Sequence, residues 1–182
     1  MGPAVPGSFE PLTAAEARQA VEAFIASLGH GGLRVGEVIL FENHAYAVVE
    51  KADTGSGAFE VLVDPQSRAA HLEFGPAMMW NTEFGMGAMM RGMGMAGPMP
   101  GLSQTDPSVP PSVTPEHAAQ IAQAFLTQTH AGAQLGEVIS FPGYYTIHYE
   151  MDGSFAGMFS VNAYTGQVWD HVWHGAWVES DE

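Results

Sequence analysis

The same order of hydrophobic and polar patterns occurs twice along the chain. In the first half, Thr13 with Glu16 three residues later predicts a helix start with a capping box. The apolar positions that follow recur at helical spacing and define one face of an amphipathic helix. That face consists of Ala17, Val21, Phe24, Ile25 and Leu28. Four strand-like runs come next, separated by short polar turns, at residues 35–41, 45–51, 58–64 and 69–74.

The second half repeats this pattern. Thr114 is the expected N-cap of a second helix, and Pro115 fits its first turn. The stretch LGEVISF at 135–141 matches VGEVILF at 35–41 in five of seven positions. Further strand-like runs lie at 144–151, 154–162 and 167–173. An internal duplication explains this self-similarity.

The sequence therefore predicts an α+β fold of two repeated modules, each with one helix packed on a three- to four-stranded antiparallel sheet. The short connections favour antiparallel strands over parallel crossovers. We expect the modules at residues 10–75 and 113–178, joined by a segment rich in Met, Gly and Pro at 76–112. A unit of about 65 residues is marginally stable alone, so the two modules are expected to dock.

Both halves resemble the PepSY family, whose units open with T-x-E-x-A, continue with G-E-V on a strand and close with V-D-x-x-T-G-x-V. Here the openings are TAAEA at 13–17 and TPEHA at 114–118. The closing pattern is kept as VNAYTGQV at 161–168 and is eroded to VDPQSRAA at 63–70. The resemblance implies a non-enzymatic protein with a binding or inhibitory role.

The resemblance also implies an envelope location, periplasmic or extracellular. The chain starts with MGPAVPGSFEP, which lacks the basic and apolar regions of a signal peptide. We therefore expect either that a leader has been removed or that the protein is cytoplasmic.

Composition narrows the range of partners. The net charge is −15, from 20 acidic and 5 basic residues, and such a surface repels phosphate, which argues against a nucleic-acid partner. It suits a cation or a basic partner. The chain has no cysteine, so thiolate metal ligands and disulfides are excluded. No apolar run approaches the roughly 20 residues of a helical membrane span, so we expect no transmembrane segment.

Residues 75–101 hold eight of the eleven methionines and no Leu, Ile or Val. Thioethers are soft, neutral ligands that suit Cu(I) better than zinc, magnesium or calcium. Four of the methionines, at positions 86, 89, 90 and 93, are spaced i, i+3, i+4 and i+7 and would share one face of a short helix. The nearby glycines weaken such a helix, so a flexible loop is an equal alternative. The candidate copper ligands are Met78, Met79, Met86, Met89, Met90 and Met93.

Three histidines are candidates to complete such a site: His71, His171 and His174. His171 and His174 form an H-x-x-H pair, whose members face opposite sides of a regular strand. They would chelate together only if the strand ends or bulges there. His71 lies two positions from the counterpart of His171 in the first half, and pseudo-symmetric docking would bring these groups near the methionines.

The sequence thus predicts a metal-binding protein that holds or passes copper, expected as Cu(I). It shows no nucleophile elbow, P-loop or H-E-x-x-H motif, so we expect no enzymatic activity. The alternative is a metal-free interaction or protease-inhibitory module that uses the methionines to bind a protein partner, since methionine surfaces are adaptable. Sulfur atoms that converge with a histidine would favour metal. Sulfur atoms along an exposed groove would favour a partner, and sulfur atoms in the seam between modules would be structural.

Overall fold

The computed structural model of the protein describes residues 11–94 and 109–181 and shows an α+β fold with two antiparallel sheets. The helices in these residues are α1 (Ala14–Leu28), α2 (Pro76–Met79), α3 (Met86–Gly92) and α4 (Pro115–Thr129). The strands of the first half are β1 (Leu33–Phe41), β2 (Ala45–Lys51), β3 (Gly57–Val63) and β4 (Ala70–Leu72). Those of the second half are β5 (Gln134–Phe141), β6 (Tyr144–Met151), β7 (Ser154–Asn162), β8 (Val168–Asp170) and β9 (Trp177–Asp181).

Each half contributes one sheet, and one strand crosses between them. The first sheet has the order β4-β3-β2-β1-β9, and the second has the order β5-β6-β7-β8. A helix followed by a four-stranded meander therefore occurs in both halves. Strand β9 was not predicted from the sequence. It returns from the second half and pairs with β1, where Val38 lies opposite Asp181.

The two long helices begin where their capping residues predict. The Thr13 side chain accepts a hydrogen bond from the Glu16 backbone N–H at 3.3 Å, and Glu16 accepts one from the Thr13 N–H at 2.9 Å. Helix α1 packs Val21 and its neighbours against the outer face of the first sheet. Helix α4 covers the outer face of the second sheet in the same manner. Each sheet is therefore covered on its outer face by its own helix.

A third core fills the seam between the inner faces of the two sheets. Along β2, Ala45, Ala47 and Val49 face α1, whereas Tyr46 and Val48 face the seam, as the two-residue period of a strand requires. The molecule is thus layered helix, sheet, sheet, helix. The seam residues are Ile39, Phe41, Tyr46, Val48, Leu62, Ala77, Trp80, Phe141, Tyr144 and Met158. The two sheets pack against each other through this shared core.

Two irregularities shape the seam. The fourth strand of each half is shorter than the predicted runs at 69–74 and 167–173, because β4 ends at Leu72 and β8 ends at Asp170. The register of β1 against β2 shifts between Val35 and Val38, and that of β5 shifts at the equivalent place, between Leu135 and Val138. Such shifts are β-bulges, which re-aim side chains. Here they fall on the G-E-V motifs.

No helix in the described part of the chain is long and apolar enough to cross a membrane.

Candidate metal centre between the sheets

Two short segments aim polar side chains into the seam just after the last strand of each half. Past the end of β4, the Glu73 N–H donates to the Glu60 carbonyl at 2.9 Å. Past the end of β8, the His171 N–H donates to the Met158 carbonyl at 3.2 Å. A turn then follows, in which the His174 N–H donates to the His171 carbonyl at 3.4 Å. Because β8 has ended, the two imidazoles of the H-x-x-H pair lie on the same side.

Glu73, His171 and His174 form a compact group of donor atoms. His174 Nε2 lies 3.2 Å from Glu73 Oε1, and His171 Nδ1 lies 3.8 Å from the same oxygen. Donors bound to one tetrahedral ion at about 2.1 Å are separated by about 3.4 Å. The two distances bracket that value, so the group has the size of a single-ion site.

Each side chain of this group has one buried polar atom that lacks a hydrogen-bond partner within the described residues. The side chains are 0% exposed for Glu73 and His171 and 4% for His174. Within the described part of the chain, Glu73 Oε2, His171 Nδ1 and His174 Nε2 have no hydrogen-bond partner. Buried polar atoms in folded proteins are nearly always hydrogen-bonded, so three such atoms in one group require an explanation. A bound cation supplies one.

Hydrogen bonds behind His171 set its tautomer when Glu60 is ionised. When Glu60 is ionised, Thr146 Oγ1 donates to Glu60 Oε1 at 2.6 Å, and Ser160 Oγ, 3.0 Å away, donates to Thr146 Oγ1. Ser160 Oγ is then free to accept from His171 Nε2 at 2.9 Å. In that state the ring proton of His171 resides on Nε2, and the Nδ1 lone pair faces Glu73. Outer hydrogen bonds of this kind orient metal-binding histidines.

His174 has a partner of the same kind. Its Nδ1 lies 2.7 Å from His44 Nε2 on the loop between β1 and β2. When the His174 Nδ1–H donates to His44, the Nε2 lone pair of His174 faces Glu73. Asn43 holds the surrounding loop, because its side chain donates to the Trp173 carbonyl and accepts from the Gly175 N–H. Trp173 Nε1 donates to Glu73 Oε1 at 3.0 Å.

Burial sets the protonation states in the seam. It lowers the pKa of His174 to about 4 and that of His171 well below its ordinary value, so both rings are neutral at pH 7. It raises the pKa of Glu73 to about 8, against the lowering effect of the Trp173 hydrogen bond. Neutral imidazoles are ready to bind a cation, whereas Glu73 must release its proton to do so.

A second carboxyl, Glu60, lies fully buried beside this group. It accepts hydrogen bonds from Tyr46 and Tyr144 at 2.8 Å each, in addition to the one from Thr146. Burial and the nearby charge of Glu73 raise the pKa of Glu60 to about 8. Glu60 therefore terminates the hydrogen-bond chain that begins at His171.

A cavity lies beside the two histidines of the group. His171 and His174 line a cavity of about 400 Å³ together with Phe41, Tyr149 and Phe155. The donor atoms themselves are buried beneath this cavity.

The structure distributes the predicted ligands among four places. His171 and His174 lie in the group with Glu73. His71 lies on β4 with its Nδ1 3.0 Å from the Leu72 carbonyl and its ring against Phe74. Met78 and Met79 lie on α2, where Met79 packs against the seam core. Met86, Met89 and Met90 lie on α3 and Met93 at its C-cap, with Met89 50% and Met93 74% exposed.

The i, i+3, i+4, i+7 spacing of these methionines thus coincides with a short helix. Met95 and Met99 fall outside the described residues.

Sequence reasoning missed Glu73. One signal was available, because the register that aligns Val63 with Val161 also aligns Glu73 with His171. The two backbone hydrogen bonds that hold these residues join equivalent positions, since the same register aligns Glu60 with Met158.

The chain was compared with protein families, with curated proteins and with solved structures, and none of them matches it.

Proposed function

We propose that this protein binds copper at the centre formed by Glu73, His171 and His174 and holds or passes the ion without catalysing a reaction. The observation that carries the proposal is the convergence of three buried side chains, Glu73, His171 and His174, each of which has a polar atom without a hydrogen-bond partner within the described residues. Ser160 and His44 support the proposal. Ser160 hydrogen-bonds His171 and His44 hydrogen-bonds His174, in each case at the ring nitrogen that points away from Glu73.

The donor set favours a divalent first-row ion. Two imidazole nitrogens and one carboxylate oxygen bind Cu²⁺ more tightly than the other divalent ions of the series, including Zn²⁺. Copper is also the ion that thioethers bind when reduced. The methionine face of α3 would then take Cu(I), whereas the buried centre takes Cu²⁺. Helix α3 begins 13 residues after Glu73, so the two regions are close along the chain.

Competition against a chelator of known affinity tests the buried centre. Cu²⁺ and Zn²⁺ are titrated separately into metal-free wild-type protein and into Glu73→Gln, His174→Gln and His117→Gln. His117 lies on the exposed face of α4 and is the matched control. We expect Glu73→Gln and His174→Gln to lose at least about 100-fold in Cu²⁺ affinity, more than outer-shell changes usually cost. Equal affinity in all four proteins would refute the proposal.

The thioether part is tested separately. Cu(I) is titrated into wild-type protein and into a variant in which Met86, Met89, Met90 and Met93 are all replaced by Leu. We expect the variant to bind Cu(I) more weakly and Cu²⁺ unchanged. Equal Cu(I) affinity would remove the methionine face from the proposal and leave the Glu-His-His centre.

A metal-free interaction role is the second candidate, and one feature favours it. Phe24, Leu28, Phe84 and Met89 line a largely apolar cavity of about 330 Å³ beside α3. Exposed methionines next to an apolar groove suit binding of an amphipathic peptide. Titration of a labelled amphipathic peptide into wild-type protein and Met89→Glu tests it, with exposed Met151→Glu as control. If the protein has this role, Met89→Glu should bind the peptide more weakly than wild type does, and Met151→Glu should bind it as wild type does.

We further propose that the two halves arose by duplication of a PepSY-like unit and that the protein works in the cell envelope. The recurrence of one helix followed by a four-stranded meander supports the duplication. Fractionation of cells that express the natural gene tests the location, and recovery in the cytoplasm would contradict it.

A further inference from the structure

A second group of metal-binding side chains lies at the two β-bulges. The bulge in β1 carries Glu37, and the equivalent bulge in β5 carries Glu137. His148 lies on β6, next to β5 in the same sheet. The three residues therefore come from both sheets and meet at the edge of the seam. None of them belongs to the centre formed by Glu73, His171 and His174.

The three side chains offer donor atoms that all lie within 4.8 Å of one another. His148 Nδ1 is 3.9 Å from Glu37 Oε2, which is too long for a hydrogen bond and close to the spacing of two ligands on one ion. The Glu37 side chain is 19% exposed, and Glu137 is an exposed residue. The group thus has a buried end and an accessible end.

His148 is the member that points to a ligand. Its side chain is only 7% exposed, and its Nδ1 faces the carboxylate of Glu37 without a hydrogen bond to it. Its other ring nitrogen, Nε2, is buried and has no hydrogen-bond partner in the described part of the chain. Burial lowers the pKa of His148 to about 4, so the ring is neutral at pH 7 and keeps a lone pair for a cation.

The neighbouring basic residues have carboxylate partners of their own. Arg34 pairs with Glu50 at 2.7 Å, and Arg18 pairs with Asp181 at 3.1 Å. Both arginines line an open cavity of about 520 Å³ with Glu37 and Glu137. This cavity connects the carboxylates to solvent and gives a hydrated cation a path to the group.

We propose that Glu37, Glu137 and His148 form a second metal site, which takes a divalent first-row cation. Its two carboxylates and one imidazole are a harder ligand set than that of the buried centre. Such a set suits Zn²⁺, Co²⁺ or Mn²⁺ rather than Cu(I). The accessible Glu137 makes it the weaker and faster-exchanging site of the two. The proposal does not depend on the proposed copper centre, because the two share no ligand.

Co²⁺ is the probe, since its visible absorption reports the ligands and the stoichiometry. Metal-free protein is titrated with Co²⁺ at pH 7 as wild type, Glu137→Gln, His148→Gln, Glu73→Gln and Glu22→Gln. Glu22 is exposed on α1 and controls for the loss of one negative charge. Because Glu137 is exposed, its replacement leaves the core intact, and circular dichroism checks the fold of His148→Gln.

We expect two equivalents of Co²⁺ for wild type and Glu22→Gln, and one tight equivalent for Glu137→Gln and His148→Gln. The affinity of the lost site should fall by more than about 10-fold. Glu73→Gln should keep the second site and lose the first. A wild type that binds one equivalent, lost only in Glu73→Gln, would overturn this proposal. Loss of that equivalent only in Glu137→Gln and His148→Gln would support it and count against the copper centre.

Discussion

Replacing Glu73 by Gln should stabilise the metal-free protein, although it removes a proposed ligand. Glu73 is fully buried, and its pKa is raised from 4.5 to about 8 in the folded protein. Above pH 4.5 the unfolded chain loses this proton while the folded chain keeps it, so folding becomes less favourable as pH rises. The contribution of Glu73 to the unfolding free energy is fully present below pH 4.5 and is lost as pH rises through 8. Gln has the same shape and does not titrate.

The size of the effect follows from the two pKa values. At 1.36 kcal/mol per pH unit, the interval from 4.5 to 7 makes wild type about 3 kcal/mol less stable at pH 7 than a non-titrating equivalent. At pH 5 the difference should be below about 1 kcal/mol by the same arithmetic. The Trp173 N–H keeps an acceptor in the variant, because the Gln carbonyl oxygen can replace Glu73 Oε1.

Urea unfolding of chelator-treated protein at pH 5, 7 and 9 measures this directly, with the exposed Glu22→Gln as the charge-matched control. We expect Glu73→Gln to be more stable than wild type at pH 7 and 9. Saturating Cu²⁺ should reverse the order, because an ion at 1,000 times its Kd adds about 4 kcal/mol to wild type alone. A variant that is less stable than wild type without metal, or that shows the same pH slope, would refute this account of the site.

Three further outcomes are expected. Ser160→Ala should lower Cu²⁺ affinity about 10- to 100-fold without changing the stoichiometry, because it removes the acceptor for His171 Nε2; chelator competition measures this. The unfolding free energy of the metal-free protein should fall as pH drops from 6.5 towards 4. The pKa of His174 is about 4 in the folded protein, so the unfolded chain takes up the imidazole proton at a higher pH than the folded chain does. In urea titrations, His174→Gln should make this pH dependence less steep. Met158→Ala should cost about 2–5 kcal/mol of unfolding free energy, because Met158 is buried in the seam. Met93→Ala should change it by less than about 0.5 kcal/mol, because Met93 is exposed.

Local signals were sufficient to predict the regular parts of the fold. The capping residues Thr13 and Thr114 mark the starts of both long helices, and strands 45–51, 144–151 and 154–162 have the predicted bounds. These features depend on neighbours within a few residues, so the chain itself encodes them. Strand β9 could not be predicted in this way, because its residues are all exposed and its partner is β1, far away in sequence. A non-local edge pairing leaves no periodic pattern.

The candidate site was predictable only in part, and for the same reason. The H-x-x-H pair was visible, but whether its rings could meet depended on where β8 ends. Glu73 gave no local signal, since a single carboxylate after a short strand is unremarkable. Its importance comes from docking of the two sheets, which brings it within 3.2 Å of His174. The methionines drew attention because their composition is unusual, whereas the buried group uses ordinary residues in an unusual place.

The proposed duplication explains why a mixed donor set arises at the seam. Glu73 and His171 occupy equivalent positions after the fourth strand of each half, held by equivalent backbone hydrogen bonds. A symmetric pair of carboxylates buried together would repel when ionised, and a pair of histidines would lack a negative ligand. One of each gives charge compensation for a divalent cation, and His174, which follows in the turn of the second half alone, supplies the third donor. Under this proposal, divergence at one equivalent position gives a packing interface the donor set of the candidate metal site.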